Sequence, residues 1–352
     1  MQRPFTRLLR VSFGPRMADL TGRLSAPRRH PLPRWAPLAL GTALVLGAAR
    51  EASAQNGGLF LLVPFGARAV GQGEAVVADS TLGAEGMWWN AAALARLPKR
   101  EVAIHHSQTV IATSDMLTFA VPSKVLGTVA ASVYMVNYGD QQATDSQTGT
   151  PIGTITNRNY QLAVSYATPV GSRFAAGLTY KFVMLRFQCS GICGAIPVIS
   201  GSTSALDLGA QYVLPTTLPI TLAGSVRNLG PALQVKDAEQ ADPLPRIIQV
   251  GARARIPVRS LAEAKATLDV SADVLSASAL GGAAGAIGAS VGFREQAFLR
   301  AGYKFQQGQG AGPSVGFGFQ RGAVGVDISR RFDALSAQLG EPPTYVSLRA
   351  RF

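Results

Sequence analysis

Charge, cysteine and histidine are all scarce in this 352-residue chain. Charged residues make up 15%, against about 25% in an ordinary globular domain, and there are 2 cysteines and 3 histidines. So few cysteines exclude a disulfide scaffold. A hydrophobic share of 47% excludes a disordered polyelectrolyte. Catalytic signatures are missing too: there is no G-x-S-x-G elbow, no H-E-x-x-H helix and no G-x-x-x-x-G-K-[ST] loop. Neither an enzyme nor a cofactor is expected. Beyond residue 54 the only histidines are His105 and His106. Neighbours in a strand point to opposite faces, which suits no shared metal, so no metal site is expected.

The formal charge of +13 needs correcting before it is read. Arg28, Arg29 and Arg34 precede an apolar run over 35–49, which is followed by Ala52-Ser53-Ala54. Basic region, apolar core and small-residue site in that order predict a secretory signal peptide. Its core is shorter than the about 20 residues of a spanning helix. Cleavage is expected after Ala54, with 1–16 as an upstream extension because Met17 also offers a start. Removing the nine basic and two acidic residues of 1–54 leaves 24 against 18. Most of the basicity is therefore targeting, and a nucleic-acid partner is not expected.

No stretch after the leader holds the 18 or more strongly apolar residues of a membrane-spanning helix. The chain shows period two instead. Ile248, Val250, Ala252, Ala254 and Ile256 share one parity, and Gln249, Arg253 and Arg255 the other. Leu299, Ala301, Tyr303 and Phe305 alternate with Arg300, Gly302, Lys304 and Gln306. Side chains alternate across a strand, so each segment carries one apolar and one polar face.

Fourteen such segments follow residue 100. They lie near 101–110, 115–122, 127–138, 158–169, 172–187, 203–214, 219–228, 245–257, 264–274, 286–293, 297–306, 313–320, 323–331 and 344–352. The connectors 139–157, 188–202 and 230–244 read as long loops, whereas 123–126 and Gly171 read as tight turns. Short turns on one side and long loops on the other suit an antiparallel outer-membrane barrel. A soluble β-sandwich also alternates. Three features favour the barrel: full charges on the polar faces, as a wet lumen permits; Tyr160, Tyr166, Tyr180 and Tyr303 at or near the ends of apolar faces; and a final segment that puts Val346, Leu348, Ala350 and Phe352 on its apolar face. An aromatic terminus such as Phe352 resembles the signal read by the barrel-assembly machinery of bacterial outer membranes. The expected organisation is a signal peptide at 1–54, a plug at 55–100 and a fourteen-stranded transmembrane barrel at 101–352. Outer-membrane lipid would surround it in a Gram-negative-type cell.

Residues 55–100 do not alternate. Gly66, Gly71 and Gly73 permit close-packed backbone, and two of the 3 tryptophans, Trp88 and Trp89, fall here. A fourteen-stranded lumen is too wide for wall side chains alone to fill, so this compact apolar segment is a natural plug. The stretch Gly66-Ala-Arg-Ala-Val-Gly-Gln-Gly-Glu-Ala-Val-Val-Ala-Asp79, followed by Trp89-Asn90-Ala-Ala-Ala-Leu-Ala95, resembles the N-terminal hatch of FadL-like barrels, the PorV/PorQ branch above all. It departs from that hatch pattern at Gln72, where Met is usual, and at Ala91, where Pro usually fixes the turn. The resemblance implies one of two roles. FadL-like members pass hydrophobic compounds through a hatch kink. PorV-like members receive exported protein cargo for type IX secretion.

Candidate site residues follow. Gly71, Gly73, Trp88, Trp89 and Asn90 would shape the hatch and the path of a hydrophobic small-molecule ligand. Lumen charges would be Arg253, Arg255, Lys265, Asp269, Asp273, Arg300, Lys304, Arg349 and Arg351, with Asp327. They would either attract a carboxylate head group or pair with one another and with Glu74, Asp79 and Glu85 on the hatch. Cys189 and Cys193 would form a loop disulfide after export. The main expectation is hatch-gated uptake; the alternative is an exported protein partner held by the long loops.

Overall fold

The computed structural model describes residues 58–352 apart from 146, 193–198, 235–240, 280–281 and 308–309. The expected leader and its cleavage site lie outside the described residues. Fourteen strands run antiparallel: β1 (Glu101–Gln108), β2 (Thr113–Ser123), β3 (Gly127–Thr144), β4 (Pro151–Val170) and β5 (Phe174–Gly191). The ring continues with β6 (Ile199–Val213), β7 (Ile220–Leu229), β8 (Ile247–Ile256), β9 (Ala266–Ala277) and β10 (Ala283–Phe293). It ends with β11 (Ala297–Phe305), β12 (Gly312–Arg321), β13 (Val324–Arg331) and β14 (Thr344–Arg351). Each pairs with its chain neighbour, and β14 returns to β1 through Glu101↔Arg351 to Gln108↔Thr344, which closes the barrel. Closure leaves no free edge and excludes the sandwich. No helix among the described residues is long and apolar enough to cross a membrane.

The burial pattern is inverted relative to a soluble protein. On β13, Val324, Val326 and Ile328 are exposed while Asp327, Ser329 and Arg331 are buried. Leu117, Phe119, Val133, Leu162, Val164, Leu299 and Phe317 continue the exposed apolar face around the ring. Tyr166, Tyr180 and Tyr303 stand on it as well. Contiguous exposed apolar surface of this extent needs lipid or a partner against it.

All fourteen segments read from the alternation become strands, but four, β3 to β6, run four residues or more further at one end than expected. β3 and β4 stay paired as far as Thr144 and Pro151, so most of 139–157 is sheet rather than loop. β5 reaches Gly191 and β6 starts at Ile199, which narrows the 188–202 loop. These extensions are rich in Thr, Gln and Asn and lie beyond the apolar belt. Their backbone groups pair all the same, without an apolar face to show it in the sequence. Cys189 accordingly lies in β5 opposite Ile155 and is not free; Cys193 lies outside the described residues. The connector after β7 does not simply project outward. Leu233 and Leu244 are buried with Phe60, Leu61, Trp88 and Trp89 in the main apolar cluster.

The hatch fills the lumen with short elements. A 3-10 turn (Leu59–Leu62) precedes helix α1 (Ala67–Gly71). A second 3-10 turn (Gly83–Glu85), helix α2 (Gly86–Trp89) and a third 3-10 stretch (Ala91–Arg96) lead to β1. Two further helices lie in barrel connectors: α3 (Arg259–Glu263) between β8 and β9, and α4 (Ala334–Leu339) between β13 and β14.

Candidate functional site

The hatch meets the wall where the wall has no side chains. Gly288 on β10 faces Gly302 on β11. A Cβ at Gly288 would stand 2.4 Å from the Gln72 carbonyl oxygen, and one at Gly302 would stand 2.2 Å from the Gly73 nitrogen. Beside them Gly71 packs on Gly316 of β12, and the Gly73 N–H donates to Ser314 Oγ at 3.0 Å. A second bare patch, Gly177 facing Gly209 on β5 and β6, receives Asn90, Ala91 and Ala92. Glycines at both patches permit backbone-to-backbone approach that any Cβ would block.

Asn90 holds the second patch. Its Oδ1 accepts the Ala92 N–H at 3.0 Å, capping the 3-10 stretch, and its Nδ2 donates to the Val77 carbonyl at 2.9 Å. The same amide reaches the Ala210 carbonyl at 3.2 Å. This network fixes the turn that proline fixes in the resembled hatch pattern, with Ala91 in its place.

Charge locks the rest. Glu74 takes Lys304 Nζ at 2.6 Å and Arg331 at 2.7 Å. Asp79 takes Arg253 at 2.8 Å, and Arg253 shares Asp269 with Arg255. Within the wall Asp327 joins Arg300 and Arg349, and Arg351 meets Glu101. Of the two outcomes expected for the lumen charges, mutual pairing describes most of them. Three details differ from expectation. Lys265 is not a lumen charge: it is exposed and takes a left-handed φ of 55° at the turn after α3, so β9 begins at Ala266. Asp273 accepts the Val77 N–H at 2.9 Å and the Gln249 amide at 2.9 Å rather than a cation. Glu85 accepts the Ala69 N–H at 3.2 Å, with no ion pair among the described residues.

Environment sets the ionisation of the hatch acids. Burial works against the Glu74 carboxylate, but Lys304 and Arg331 outweigh it and hold its pKa below the ordinary value. Asp79 is lowered too: burial opposes its charge, and Arg253, Arg68 and the Thr81 hydrogen bonds overcome it. Glu85 goes the other way. Burial lifts it to about 8, with Arg68 only partly offsetting this and Asp327 adding to it.

The turn at Gly73 and Glu74 separates two cavities. Both residues have positive φ, 65° and 68°, and for a glutamate this is a strained backbone that its two ion pairs help hold. On one side is a cavity of about 120 Å³ lined by Leu61, Leu62, Trp88, Trp89, Ile247 and Leu275, with Glu74, Arg227, Lys304 and Arg331 at its polar margin. On the other is a polar vestibule of about 250 Å³, to which Gln72, Arg68, Asp79 and Arg300 contribute. The five hatch residues singled out from the sequence fall in two places: Trp88 and Trp89 line the apolar cavity, while Gly71, Gly73 and Asn90 lie against the wall.

Sequence reasoning missed several partners. Arg331 shares the inward parity of Asp327 and Ser329, so the alternation contained it. Arg227 also faces in: it donates to the Trp88 carbonyl at 3.2 Å and, at 3.0 Å, to Oε1 of Gln249, a residue that the alternation itself puts on the polar face. Arg227 keeps the inward parity of Ser225, and the alternation breaks only after it, at the left-handed Asn228, φ 62°.

No family profile and no curated protein matches the chain. Solved structures do. The toluene transporter TbuX of Ralstonia pickettii superposes with a TM-score of 0.57 at 13% identity, covering 83% of this chain and 100% of that one. The toluene transporter TodX of Pseudomonas putida gives 0.53 at 10% identity, covering 80% and 95%. A Pseudomonas aeruginosa FadL homologue gives 0.50 at 13% identity, covering 82% and 98%. At such identities the likeness is one of fold: this chain is a hatch-plugged, closed fourteen-stranded barrel of the FadL-like architecture.

Proposed function

We propose that the protein is an outer-membrane barrel for uptake of hydrophobic small molecules, with the hatch as its gate. The observation that carries this reading is the apolar cavity beside Trp88 and Trp89, bordered by Glu74, with the polar vestibule bordered by Gln72 two residues away on the same hatch turn. The exposed apolar belt supports a membrane location, and the connector asymmetry supports an orientation. The longest described connectors, after β7 and β13, lie at the end that would face outward, and the three-residue turn after β10 lies at the periplasmic end. The ligand would enter the cavity from outside, and a shift of the turn would join the two cavities. The toluene transporters of the same fold support a small apolar ligand. The PorV/PorQ likeness rests on sequence motifs alone: the hatch stretch, and Asn228-Leu-Gly230 followed by a loop closing at Leu244-Pro245.

The test is saturable binding of toluene to the folded barrel in a nonionic detergent, with conductance in planar bilayers. Toluene, of a size to suit a cavity of about 120 Å³, should bind, and Leu62→Asp, which places a charge on the half-buried cavity wall, should weaken it at least tenfold. A barrel lacking residues 59–95 should conduct ions far better than wild type. Unchanged binding in Leu62→Asp together with unchanged conductance in the deletion would reject the reading. A second reading has one observation in its favour: β3 to β6, at 18, 20, 18 and 15 residues, outrun the other strands and project a polar sheet that could hold an exported protein. Trimming residues 139–157 should then release a co-purifying partner.

A further inference from the structure

The exterior of β4 and β5 changes character at one row. Paired residues on that surface read Tyr166 with Leu178, Val164 with Tyr180 and Leu162 with Phe182, all exposed members of the apolar belt. Tyr160 with Met184 ends it, and the next pair toward the outward end is Arg158 with Arg186. Beyond them come Thr156 with Gln188 and Thr154 with Ser190. From Tyr160 to Val170, at about 3.3 Å per residue and a tilt of about 40°, the apolar face spans roughly 25 Å, the height of the lipid-facing band of an outer-membrane barrel. Both arginines therefore stand where acyl chains give way to head groups.

The two guanidinium groups point away from the lumen. Asn159 and Gln161 on β4 and Val183 on β5 turn inward and are buried, whereas Arg158 and Arg186, of the opposite parity, are exposed. Directly opposite partners on one face of an antiparallel pair have Cβ atoms about 5 Å apart, and like charges placed so are destabilising. Among the described residues nothing offsets that repulsion, since neither arginine makes an ion pair. Their outer flanks are uncharged: Asn137 of β3 lies opposite Arg158, and Ser200 of β6 opposite Arg186. Asp140, one row further out, accepts the Thr156 hydroxyl at 3.0 Å instead. Arg186 donates to the side-chain oxygen of Gln188 from Nη2 at 2.8 Å and from Nε at 3.3 Å. Its Nη1 and the whole Arg158 guanidinium remain available. A guanidinium is a planar fork that matches phosphate oxygens, and its apolar stem rests on the belt while its head reaches the interface.

We propose that Arg158 and Arg186 form a clamp on the outside of the barrel for a phosphate group of a phosphorylated lipid in the outer leaflet. The phosphate supplies the negative charge that the cross-strand pair lacks, and the acyl chains lie along the face of Leu162 and Phe182. The proposal uses the outward orientation of the long connectors but not uptake, because it concerns the lipid side of the wall rather than the lumen. Arg330 on β13 provides the contrast. It also follows the last apolar residue of its exterior face, Ile328, but its cross-strand neighbours are Val315 and Thr344, and it donates to Thr344 Oγ1 at 3.1 Å. A lone cation of this kind makes no clamp.

The experiment measures, by native mass spectrometry of the folded full barrel in nonionic detergent, the binding of lipid A with its phosphates and of the same lipid stripped of them. The variants are Arg158→Gln with Arg186→Gln, Arg158→Lys with Arg186→Lys, and Arg330→Gln alone. Heat-modifiable gel mobility verifies folding. Wild type should bind the phosphorylated lipid at least tenfold more tightly than the stripped one. The double Gln variant should lose that preference, the double Lys variant should keep part of it, and Arg330→Gln should keep all of it. Equal binding of the two lipids by wild type, or an undiminished preference in the double Gln variant, overturns the proposal. So does a loss in Arg330→Gln as large as in the double Gln variant, which would make net charge the cause. Inorganic phosphate bound in place of the lipid would overturn it too, as a free-anion site. If the double Gln variant does not fold, wild type decides: phosphorylated lipid should raise its unfolding midpoint above that in stripped lipid, and equal midpoints overturn the clamp.

Discussion

The amide nitrogen of Gly73 lies 2.2 Å from where a Cβ on Gly302 would be built. Hatch backbone and barrel backbone are in contact there, and both positions must remain glycine for the turn to seat. Gly302→Ala should therefore push the turn off the wall while the strand itself, paired on both sides, stays folded. Overpacking of this kind costs about 1–3 kcal/mol. The expected readings are a lower unfolding midpoint and larger, noisier conductance in planar bilayers. A closed channel of wild-type stability would show that the turn is held elsewhere.

Glu74 combines a left-handed backbone with two buried ion pairs. Its neutral analogue leaves Lys304 and Arg331 without their shared counter-charge, and breaking one side of a buried pair typically costs about 3–5 kcal/mol. Glu74→Gln should thus destabilise strongly and expose the hatch to protease. Adding Lys304→Met should recover part of the loss, because one buried charge is then no longer left uncompensated. A double variant no better than the single one would mean that the backbone strain, rather than the charge, governs the turn.

Glu85 makes the seating of α1 depend on pH. Its folded pKa of about 8 lies above the ordinary 4.5, so the folded state binds the proton more tightly than the unfolded one. The stabilisation is fully present below about pH 4.5 and is lost as pH rises through about 8. Each tenfold difference in proton affinity between the two states is worth about 1.4 kcal/mol. Denaturant midpoints should accordingly fall between pH 5 and 9. Glu85→Gln, whose carbonyl can still accept the Ala69 N–H, should flatten that fall. Glu74 and Asp79 act oppositely: their pKa values are depressed, so their contribution is lost only as pH drops below the ordinary carboxylate range. An unchanged slope in Glu85→Gln would place the titration on another group.

The barrel was legible because a wall with one apolar and one polar face imposes period two on almost every strand. Val324, Val326 and Ile328 against Asp327, Ser329 and Arg331 show it without any knowledge of register. What alternation could not reveal lies where that constraint lapses. The polar outer parts of β3 to β6 pair by backbone alone, and Lys265 keeps the right parity while sitting in a turn. The hatch motif located Gly71, Gly73, Trp88, Trp89 and Asn90, but not their partners. Gly288 and Gly302 are ordinary glycines in a glycine-rich chain until the register sets them opposite each other and beneath Gln72. Pairings such as Glu74 with Lys304 and Arg331 join residues more than two hundred positions apart, and only barrel closure brings them together.

Asn90 offers the sharpest discrimination between a cap and a clamp. As a cap alone, it would be worth about 0.5–2 kcal/mol, and Asp would replace it at little cost. In this structure its amide nitrogen donates to the Val77 and Ala210 carbonyls, while its oxygen rests so close to Gly209 that a Cβ there would lie 2.0 Å away. Asn90→Ala loses the cap and leaves buried carbonyls unsatisfied, at about 1–3 kcal/mol for each group with no other donor. Gln211 still donates to Val77 at 3.1 Å, so the loss should fall at the lower end. Asn90→Asp keeps the acceptor for Ala92 but turns an ionised oxygen toward those carbonyls. It should therefore be less stable than the alanine variant at pH 7 and approach it near pH 4, where a protonated carboxyl regains a donor. Thermal unfolding of the two variants at both pH values measures the order. An Asp variant as stable as wild type at pH 7 would reduce Asn90 to a helix cap.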